Sequence, residues 1–565
     1  MLRAHRRARQ TTKGSVDMRL FEAIARFLAD ERDGRPVFGL MGDANLAYLG
    51  AYIERHHGRY IAAAVEGGAV LMADGWARMS GQLGIVTVTH GPALTNTLTA
   101  LIEAVQAKTP MVLLTGDTPD VNEHFQYVDI QGFARSAGAG YERVKTAATA
   151  LQTLRKAFVR ARLDSRPIVV DVPYPLVGHD VEWTETAWPS TDLQRIAPDP
   201  DAVDEALGLL MSAKRPLVIA GRGAVESGAR ADILALARAV GAPVMTTLLG
   251  RELFLGEPEN LGVHGTLSTP AAVDYMGQAD VVVSFGASLN NWTTDHYELL
   301  AGKRVIQSDR DPGALAKYGP ITHGVVGDAR AVAQAMLARL DEAGHTGPAK
   351  PPRYLAAIAA APGREAKDLF RSTSGGGFMD MREAALAISD ALPAGTQQVH
   401  DVGRYSYSVW PHITTTPGRW HYAGHFGSIG LGIAFGAGAA AVRDDVPTVA
   451  WVGDGGAMHG IVEVNTAVRH GLPLIVVVMN DQCYGAEYIK LQLVGSQAST
   501  SFVPWSSFAE VARGLGAHAV RVTDRGGLDR AAEAIAQQRF PLVIEVVADA
   551  DKVVNQPSVS PLPEE

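Results

Sequence analysis

The amino-acid sequence predicts an α/β protein made of three doubly wound parallel-sheet domains. Short apolar strands alternate with helical segments along most of the chain, and this alternation is typical of parallel sheets that helices cover on both faces. Two polar segments that contain proline, at 184–200 and 344–352, interrupt the alternation. They separate a first domain at 18–190, a central domain at 200–345 and a third domain at 376–550.

Each domain shows its own series of apolar strands. The first domain has a helix at 20–29 and strands that end at Gly39 or span 83–89, 111–115 and 167–172. The central domain has strands at 216–220, 243–246, 281–285 and 304–307. The third domain has helices at 381–392 and 432–442 and strands at 397–402, 447–452, 472–479 and 542–546.

The composition is that of an ordinary globular protein. Of the 565 residues, 47% are hydrophobic and 20% are charged, and the net charge is −9. This negative charge argues against nucleic-acid binding, and no apolar run is long enough to span a bilayer. Cys483 is the single cysteine, which excludes an internal disulfide. We expect a cytoplasmic protein, with a disordered basic extension at 1–17 and a flexible tail at 551–565.

A glycine-aspartate-glycine turn, Gly453-Asp454-Gly455, follows an apolar strand in the third domain. A helix at 461–469 and another apolar strand then lead to Asp481. Both aspartates should lie outside the carboxyl ends of the strands, where open α/β sheets bind ligands. Mg²⁺ prefers one or two protein carboxylates together with phosphate oxygens, and the N–H groups of Gly455, Gly456 and Ala457 suit an anion. The pattern predicts a metal-held pyrophosphate, although an ordinary βαβ unit with a glycine turn is the alternative.

This unit resembles the diphosphate-binding motif of thiamin diphosphate (ThDP) enzymes, in which Gly-Asp-Gly is followed by Asn-Asn one helix and one strand later. The resemblance implies that Asp454, Asp481 and the backbone carbonyl of Cys483 bind Mg²⁺, and that Tyr484 and Gly485 belong to the cofactor site. Asp481 stands where asparagine is usual. It adds a negative charge beside the diphosphate, and this charge should alter the preference or affinity for the metal.

Glu66 lies among small and apolar residues at helical spacing in the first domain. A solvated charge on a helix is one interpretation. The segment is also similar to the one in ThDP enzymes whose glutamate hydrogen-bonds N1′ of the aminopyrimidine. In that family, protonation at N1′ makes the 4′-amino group acidic, and the 4′-imine then removes the C2 proton to form the ylid. By this resemblance Glu66 is a catalytic residue.

Two further segments of the first domain resemble substrate-side loops of the same family. The loop from His90 to Asn96 is similar to one that lines the substrate side of the cofactor, with His90 in place of a small residue. His90 is either a structural histidine or a proton donor and carboxylate anchor. Phe125-Gln126 resembles the Phe-Gln-Glu segment of acetolactate synthases, although Tyr127 replaces the glutamate.

Three segments of the third domain complete the predicted site. Gly403 and Arg404 follow a strand and resemble the loop that contacts the diphosphate, although Arg404 could equally be a surface charge. The sequence Gly427-Ser428-Ile429 resembles the Gly-Ser-Ile of pyruvate decarboxylases. There the glycine carbonyl accepts from the 4′-amino group, and the isoleucine wedges between the two cofactor rings. Glu487 falls where those enzymes carry a substrate-side glutamate that relays a proton.

The resemblance extends over about 18–547 and orders the domains as pyrimidine-binding, central and diphosphate-binding. It implies an acetolactate-synthase-like decarboxylase or carboligase that needs ThDP and Mg²⁺ and acts on a 2-oxo acid through a C2 ylid and an enamine. It further implies at least a homodimer, and a homotetramer by expectation, with the cofactor between the first domain of one subunit and the third domain of its partner.

Other functions stay open at this point. One alternative is a non-decarboxylating lyase of 2-hydroxy ketones or 2-hydroxyacyl-CoA. Another is a ThDP-binding subunit without turnover. Gly221-Arg222-Gly223 follows a strand of the central domain but falls short of a dinucleotide fingerprint. A structural role is favoured for it, with bound FAD as a minority option.

Overall fold

The structure is a computed structural model that describes residues 15–31, 35–119, 123–184, 194–345, 347–348, 352–360 and 370–554. Within these residues, three parallel sheets of six strands each form the centres of three α/β domains. The predicted fold class is therefore confirmed. The domain boundaries remain predictions, because 185–193, 349–351 and 361–369 lie outside the described residues.

The first domain consists of a parallel sheet, a short antiparallel ribbon and surrounding helices. Its strands are β1 (Ser15–Arg19), β2 (Val37–Gly39), β3 (Tyr60–Ala62), β4 (Gly84–Thr87), β5 (Met111–Asp117), β6 (Gly140–Arg143), β7 (Pro167–Pro173) and β8 (Asp180–Thr184). Its helices are α1 (Leu20–Asp30), α2 (Leu46–His56), α3 (Glu66–Ser80), α4 (Pro92–Thr95), α5 (Leu98–Gln106), α6 (Ile130–Ala137) and α7 (Ala150–Leu163). The parallel strands have the order β3-β2-β4-β5-β7-β6.

The central domain has the strand order of a Rossmann fold, β11-β10-β9-β12-β13-β14. Its strands are β9 (Pro216–Ala220), β10 (Val244–Thr246), β11 (Asn260–Val263), β12 (Val281–Phe285), β13 (Arg304–Asp309) and β14 (His323–Val326). Its helices are α8 (Pro200–Met211), α9 (Arg222–Glu226), α10 (Arg230–Val240), α11 (Pro270–Gln278), α12 (Asn291–Thr294), α13 (Ala329–Glu342) and α14 (Arg353–Ala360).

The third domain repeats the topology of the first, with the strand order β16-β15-β17-β18-β20-β19. Its strands are β15 (Gln397–His400), β16 (Trp420–Tyr422), β17 (Thr448–Gly453), β18 (Leu474–Asn480), β19 (His518–Val522) and β20 (Leu542–Val547). Its helices are α15 (Met381–Ala391), α16 (Ser406–Val409), α17 (Gly432–Ala440), α18 (Asp454–Gly460), α19 (Glu463–Arg469), α20 (Gly485–Leu493), α21 (Phe508–Gly514) and α22 (Arg525–Ala536).

The sequence predicted the four inner strands of each six-stranded sheet and missed both of its edge strands. Inner strands such as β4 and β18 are buried along their whole length, so they appear as continuous apolar runs. Edge strands such as β14 and β19 are largely half-exposed or exposed. Their residues mix polar and apolar types, and no apolar run marks them.

Both predicted terminal segments need correction where the structure describes them. Residues 1–14 lie outside the described residues, but 15–17 belong to β1, which pairs antiparallel with β8. Residues 555–565 also lie outside the described residues. The start of the predicted flexible tail is ordered, because Ala550–Lys552 forms a 3₁₀ turn and Val553 is buried.

The first and third domains share one hydrophobic core, which is centred on the contact between helices α3 and α17. The backbones of these two helices approach closely at Gly75 and Gly438. A Cβ atom on Gly75 would lie 2.1 Å from the carbonyl oxygen of Phe435. A Cβ atom on Gly438 would lie 1.9 Å from the carbonyl oxygen of Met72. Because a backbone carbonyl cannot move aside as a flexible side chain can, both positions require glycine.

Replacing Gly438 by alanine is therefore expected to destabilise the packing of the two domains. The added methyl group should lower the free energy of unfolding by about 3 kcal/mol, as overpacking of a filled core does. Urea denaturation measures this change. Gly208→Ala is the control, because a Cβ atom on this helical glycine meets no neighbour within 4 Å. Equal stability of Gly438→Ala and the wild type would contradict the prediction.

Candidate active site

The third domain collects most of the predicted site residues at one edge of its sheet. Asp401 follows β15, Asp454 follows β17 and Asp481 follows β18. The strand order changes direction between β15 and β17, and open α/β sheets bind ligands outside such a switch point. The topology therefore brings residues from three strand ends to the position where a ligand is expected.

Asp454 and Asp481 form a buried pair of carboxylates. Oδ1 of Asp454 accepts the N–H of Gly455 at 2.7 Å, and Oδ2 accepts the N–H of Cys483 at 3.0 Å. Burial, and then the charge of Asp481, raise the pKa of Asp454. Burial also raises the pKa of Asp481, while Arg404 opposes that rise. Two acids that resist ionisation next to each other would be stabilised as carboxylates by a cation.

Arg404 accompanies the unusual Asp481. Its Nη2 atom lies 2.9 Å from Oδ2 of Asp481 and donates to the carbonyl of Ala550 at 2.7 Å. Its Nε and Nη1 atoms are buried and have no hydrogen-bond partner in the described part of the chain. Arg404 therefore balances the additional negative charge of Asp481 and retains donors for an anion.

The remaining predicted metal ligand is the backbone carbonyl of Cys483. Within the described residues this carbonyl accepts no hydrogen bond, whereas the Sγ atom lies 3.3 Å from Oγ of Ser501. No group of three or more His, Cys, Asp or Glu side chains in these residues could hold a metal alone. Two carboxylates and a free carbonyl are an incomplete ligand set, which fits a metal that is also bound by phosphate oxygens.

The glycines beside this pair lie in close contact with their neighbours. A Cβ atom on Gly455 would lie 2.6 Å from the ring of Tyr484. One on Gly456 would lie 2.9 Å from Oδ2 of Asp401, and one on Gly485 would lie 2.7 Å from Nε of Arg404. Ala457 is buried in α18, the helix that also contains Gly455 and Gly456. A larger residue at any of the three glycine positions would therefore displace Tyr484, Asp401 or Arg404.

Asp401 was not predicted as a site residue, but it connects two of the predicted loops. This buried carboxylate accepts the N–H of Val402 at 2.7 Å and that of Gly430 at 2.9 Å. Burial raises the pKa of Asp401 to about 7. Val402 leads to Gly403, and Gly430 ends the loop that contains Gly427. Asp401 lies among the last residues of the predicted strand at 397–402, and this position was the available signal.

Glu103, a buried glutamate of the first domain, holds the start of the loop that contains Gly427. Oε1 of Glu103 lies 3.0 Å from Nδ1 of His425, and Oε2 accepts the N–H of Phe426 at 2.8 Å. Burial, with the nearby charge of Arg78, lowers the pKa of His425 to about 4, so a neutral imidazole donates to the carboxylate. Gly427 follows with φ +80, a conformation that favours glycine.

Replacing Glu103 by glutamine is expected to loosen this loop. An amide has one acceptor oxygen, so the variant can keep only one of the two hydrogen bonds. The loss should lower the free energy of unfolding by about 2 kcal/mol. Urea denaturation measures it, with Gln106→Ala on the exposed side of the same helix as the control. Unchanged stability of Glu103→Gln would show that the contact does not hold the loop.

The predicted residues of the first domain form a separate group. Glu66 begins α3 and accepts a hydrogen bond from Nδ2 of Asn96 at 3.1 Å. His90 is buried, and its Nε2 atom lies 3.0 Å from Oε1 of Gln126. Phe125 is 90% exposed. The structure thus brings His90 and Gln126 together and leaves Phe125 on the surface of the single chain.

The two groups are not hydrogen-bonded to each other in the described part of the chain. Among the hydrogen bonds and ion pairs of the described residues, none joins Glu66 to the loops that carry Asp454 or Ile429. Ser428 donates to the carbonyl of Ile429 at 3.1 Å. Glu487 lies on α20 with its side chain 58% exposed, and its nearest charged partner is Lys490 at 3.8 Å.

Sequence profiles of one enzyme family match all three domains. The profile described as "Thiamine pyrophosphate enzyme, N-terminal TPP binding domain" matches residues 18–133. The central domain of the same family matches 203–336, and its C-terminal TPP binding domain matches 401–546. The sulfoacetaldehyde acetyltransferase of Rhodobacter capsulatus is 31% identical over 481 residues, which cover 80% of this chain and 80% of that protein. The chain belongs to the thiamine pyrophosphate enzymes.

Other relatives place the protein in the acetolactate-synthase-like group of this family. The acetolactate synthase large subunit of Haemophilus influenzae is 26% identical over 520 residues, or 89% of each chain. The acetolactate synthase isozyme 3 large subunit of Escherichia coli is 27% identical over 550 residues, or 94% of each chain. The predicted cofactor ThDP and the predicted class, a ThDP-dependent enzyme of C–C bond chemistry, are confirmed. No helix in the described residues has the length and apolar character needed to cross a membrane.

Proposed function

We propose that this ThDP enzyme is a Mg²⁺-dependent decarboxylase or carboligase that acts on a 2-oxo acid. The buried pair of Asp454 and Asp481, with the unpartnered donors of Arg404 beside it, carries the proposal. Two carboxylates and an arginine suit a metal bound to a diphosphate. The acetolactate synthases among the relatives support the choice of a 2-oxo acid.

The third domain would hold the diphosphate and its metal. Asp454, Asp481 and the carbonyl of Cys483 would bind Mg²⁺. The donors for the phosphate oxygens would be Arg404 and the backbone N–H groups of Gly403, Gly456, Ala457 and Gly485. Gly455 and Tyr484 would line the same site, while their N–H groups donate to Asp454 and Ser501. The short side chains at these loops leave the backbone accessible, and the start of a helix favours negative charge.

The residues around the cofactor rings have separate tasks. When bound, ThDP supplies a carbon nucleophile and an electron sink. The Gly427 carbonyl would accept from the 4′-amino group, and Ile429 would separate the two rings. Glu66 would hold a proton at N1′. His90, Gln126 and Glu487 would contact the substrate, and Phe125 would shield it from water once a second subunit covers this surface.

We propose that Glu66 and Asp454 act on one cofactor from two different subunits, as the resemblance of their motifs to the ThDP enzymes implies. In a homodimer, Glu66 of one subunit would reach the cofactor held by Asp454 of its partner. We propose a homodimer as the minimum unit, a homotetramer as the complete assembly and a cytoplasmic location.

The central domain has a structural role in this proposal. A Cβ atom on Gly221 would lie 2.2 Å from the carbonyl oxygen of Gly286, and one on Gly223 would lie 2.8 Å from the Cα atom of Gly286. Close packing of two loops at the switch point therefore accounts for these glycines without a bound dinucleotide. We expect the purified protein to be colourless. A flavin absorption spectrum that persists through purification would contradict this expectation.

The proposed reaction is tested with purified protein, ThDP and Mg²⁺, and a panel of 2-oxo acids that includes pyruvate, glyoxylate and branched and aromatic acids. CO₂ release and organic products are measured together. CO₂ with an aldehyde identifies a decarboxylase, and CO₂ with a hydroxy ketone identifies a carboligase. If ThDP is bound but no acid yields CO₂, the proposal is wrong, and 2-hydroxy ketones and 2-hydroxyacyl-CoA become the substrates to test.

A further inference from the structure

The loop that leads into Glu66 is held by the third domain of the same chain. This loop, 63–65, joins β3 to α3. Glu463, at the start of α19, is buried, and its carboxylate faces the loop. Its two oxygens accept the N–H of Ala64 at 3.1 and 3.2 Å, and Oε1 accepts the N–H of Val65 at 3.1 Å. One carboxylate therefore fixes the two peptide groups that precede Glu66.

The carboxylate of Glu463 lies beside the N-terminus of α3. Its hydrogen bonds go to the N-cap residue Val65 and to Ala64, the residue before it. A carboxylate at a helix N-terminus is also favoured by the helix dipole. A Cβ atom on Gly68 would lie 2.0 Å from Oε1 of Glu463. The first turn of α3 thus fits around this carboxylate because residue 68 is glycine.

Three other residues, on α19 or directly after it, strengthen the contact. Ala62 donates its N–H to Nε2 of His470 at 3.1 Å, and its carbonyl accepts from Arg469 at 2.7 Å. The hydroxyl of Thr466 donates to Oε2 of Glu463 at 2.6 Å and accepts from Arg469 at 2.9 Å. The orientation of the Glu463 carboxylate is therefore set by its own hydrogen bonds.

We propose that Glu463 is a positioning residue that sets the place of Glu66 through the backbone of 64–65. The inference rests on the proposed role of Glu66 at N1′. That role requires hydrogen-bond geometry, and a displacement of about 1 Å can cost a hundredfold in rate. Asp454 begins α18 and Glu463 begins α19, the next helix. The helix that begins with the proposed metal ligand Asp454 is thus followed directly by the helix whose Glu463 holds the loop before Glu66 in the same chain.

The test compares wild type, Glu463→Gln and Glu66→Gln by two measurements on the full-length protein. Hydrogen–deuterium exchange of backbone amides, followed on peptides that span 61–66, reports the contact itself and needs no cofactor. The rate of C2-proton exchange of ThDP bound with Mg²⁺ reports the function of Glu66 and needs no substrate. Glu510→Gln is the control, because this exposed glutamate of the same domain pairs with the neighbouring Arg513 on its own helix.

Glutamine keeps the size of Glu463 but offers a single acceptor oxygen. We expect Glu463→Gln to lose amide protection at 61–66 and to slow C2-proton exchange by at least tenfold, as a shift of Glu66 by a fraction of an ångström would. ThDP affinity should stay within about threefold of wild type, since the diphosphate residues are intact. A purely stabilising role would instead leave the exchange rate of the folded, ThDP-bound variant unchanged.

The following results would overturn the proposed role of Glu463. Retained protection at 61–66, or lost protection with C2-proton exchange within twofold of wild type, overturns the proposal. If wild type and Glu66→Gln exchange the C2 proton equally slowly, the proposed role of Glu66 fails first, and the proposal falls with it. Should Glu463→Gln not fold, Thr466→Val removes the hydroxyl that orients the carboxylate. It must then slow C2-proton exchange, or the proposal is wrong.

Discussion

Glu66→Gln is expected to reduce turnover by about 10²- to 10⁴-fold, the range that a positioned general acid or base contributes. Glutamine keeps the size of the side chain and can still interact with Asn96, so the start of α3 should remain folded. It cannot supply the proton that Glu66 would hold at N1′. The loss should therefore appear in kcat, while ThDP binding changes little because the diphosphate residues lie in the other domain.

Steady-state turnover and ThDP titration measure these two effects separately. Glu54→Gln on α2 is a matched control, because Glu54 is an exposed glutamate of the same domain. Full turnover in Glu66→Gln would contradict the catalytic assignment. If neither wild type nor variant shows turnover while both bind ThDP, the chain is a ThDP-binding subunit instead.

Asp454→Asn is expected to remove most of the affinity for the metal and, with it, for ThDP. The substitution neutralises one of the two buried carboxylates and leaves a single oxygen that must serve Gly455, Cys483 and the metal. Loss of a residue that only orients a ligand typically costs 10- to 100-fold in metal affinity, so loss of a ligand charge should cost at least about a hundredfold.

Titrating ThDP into the variant at several Mg²⁺ concentrations measures this effect. A true loss of metal affinity appears as ThDP binding that recovers only at high Mg²⁺. Asp445→Asn is the control, because Asp445 is an exposed aspartate of the same domain that pairs with Arg443. Equal Mg²⁺ dependence in Asp454→Asn and wild type would exclude Asp454 as a metal ligand.

The pairing of Asp481 with Arg404 gives a physical reason for the departure of this chain from the usual asparagine. An additional carboxylate beside a diphosphate would be repelled by it, but Arg404 lies 2.9 Å from Asp481 and compensates its charge. Breaking a buried pair by removing one partner typically costs 3–5 kcal/mol. The two residues should therefore be considered together when the metal preference of this enzyme is measured.

The sequence by itself determined the fold class, the family and the order of the site motifs. Inner strands such as β17 and β18 are buried on both faces, so they appear as apolar runs, and the turns that follow them carry Asp454 and Asp481. Local order along the chain is sufficient to place both carboxylates at one sheet edge. The edge strands and the ribbon formed by β1 and β8 escaped prediction, because their stability depends on a neighbouring strand.

Only the tertiary structure decided which residues support the site from a distance. Glu103 and Phe426 are separated by 323 positions, and Glu463 and Ala64 by 399. Nothing in the local sequence marks Glu103 or Glu463, since each is one glutamate on a helix. They acquire their roles because both are buried where the first and third domains pack together around α3 and α17. There a carboxylate must find hydrogen-bond donors, and the loops around the cofactor site provide them.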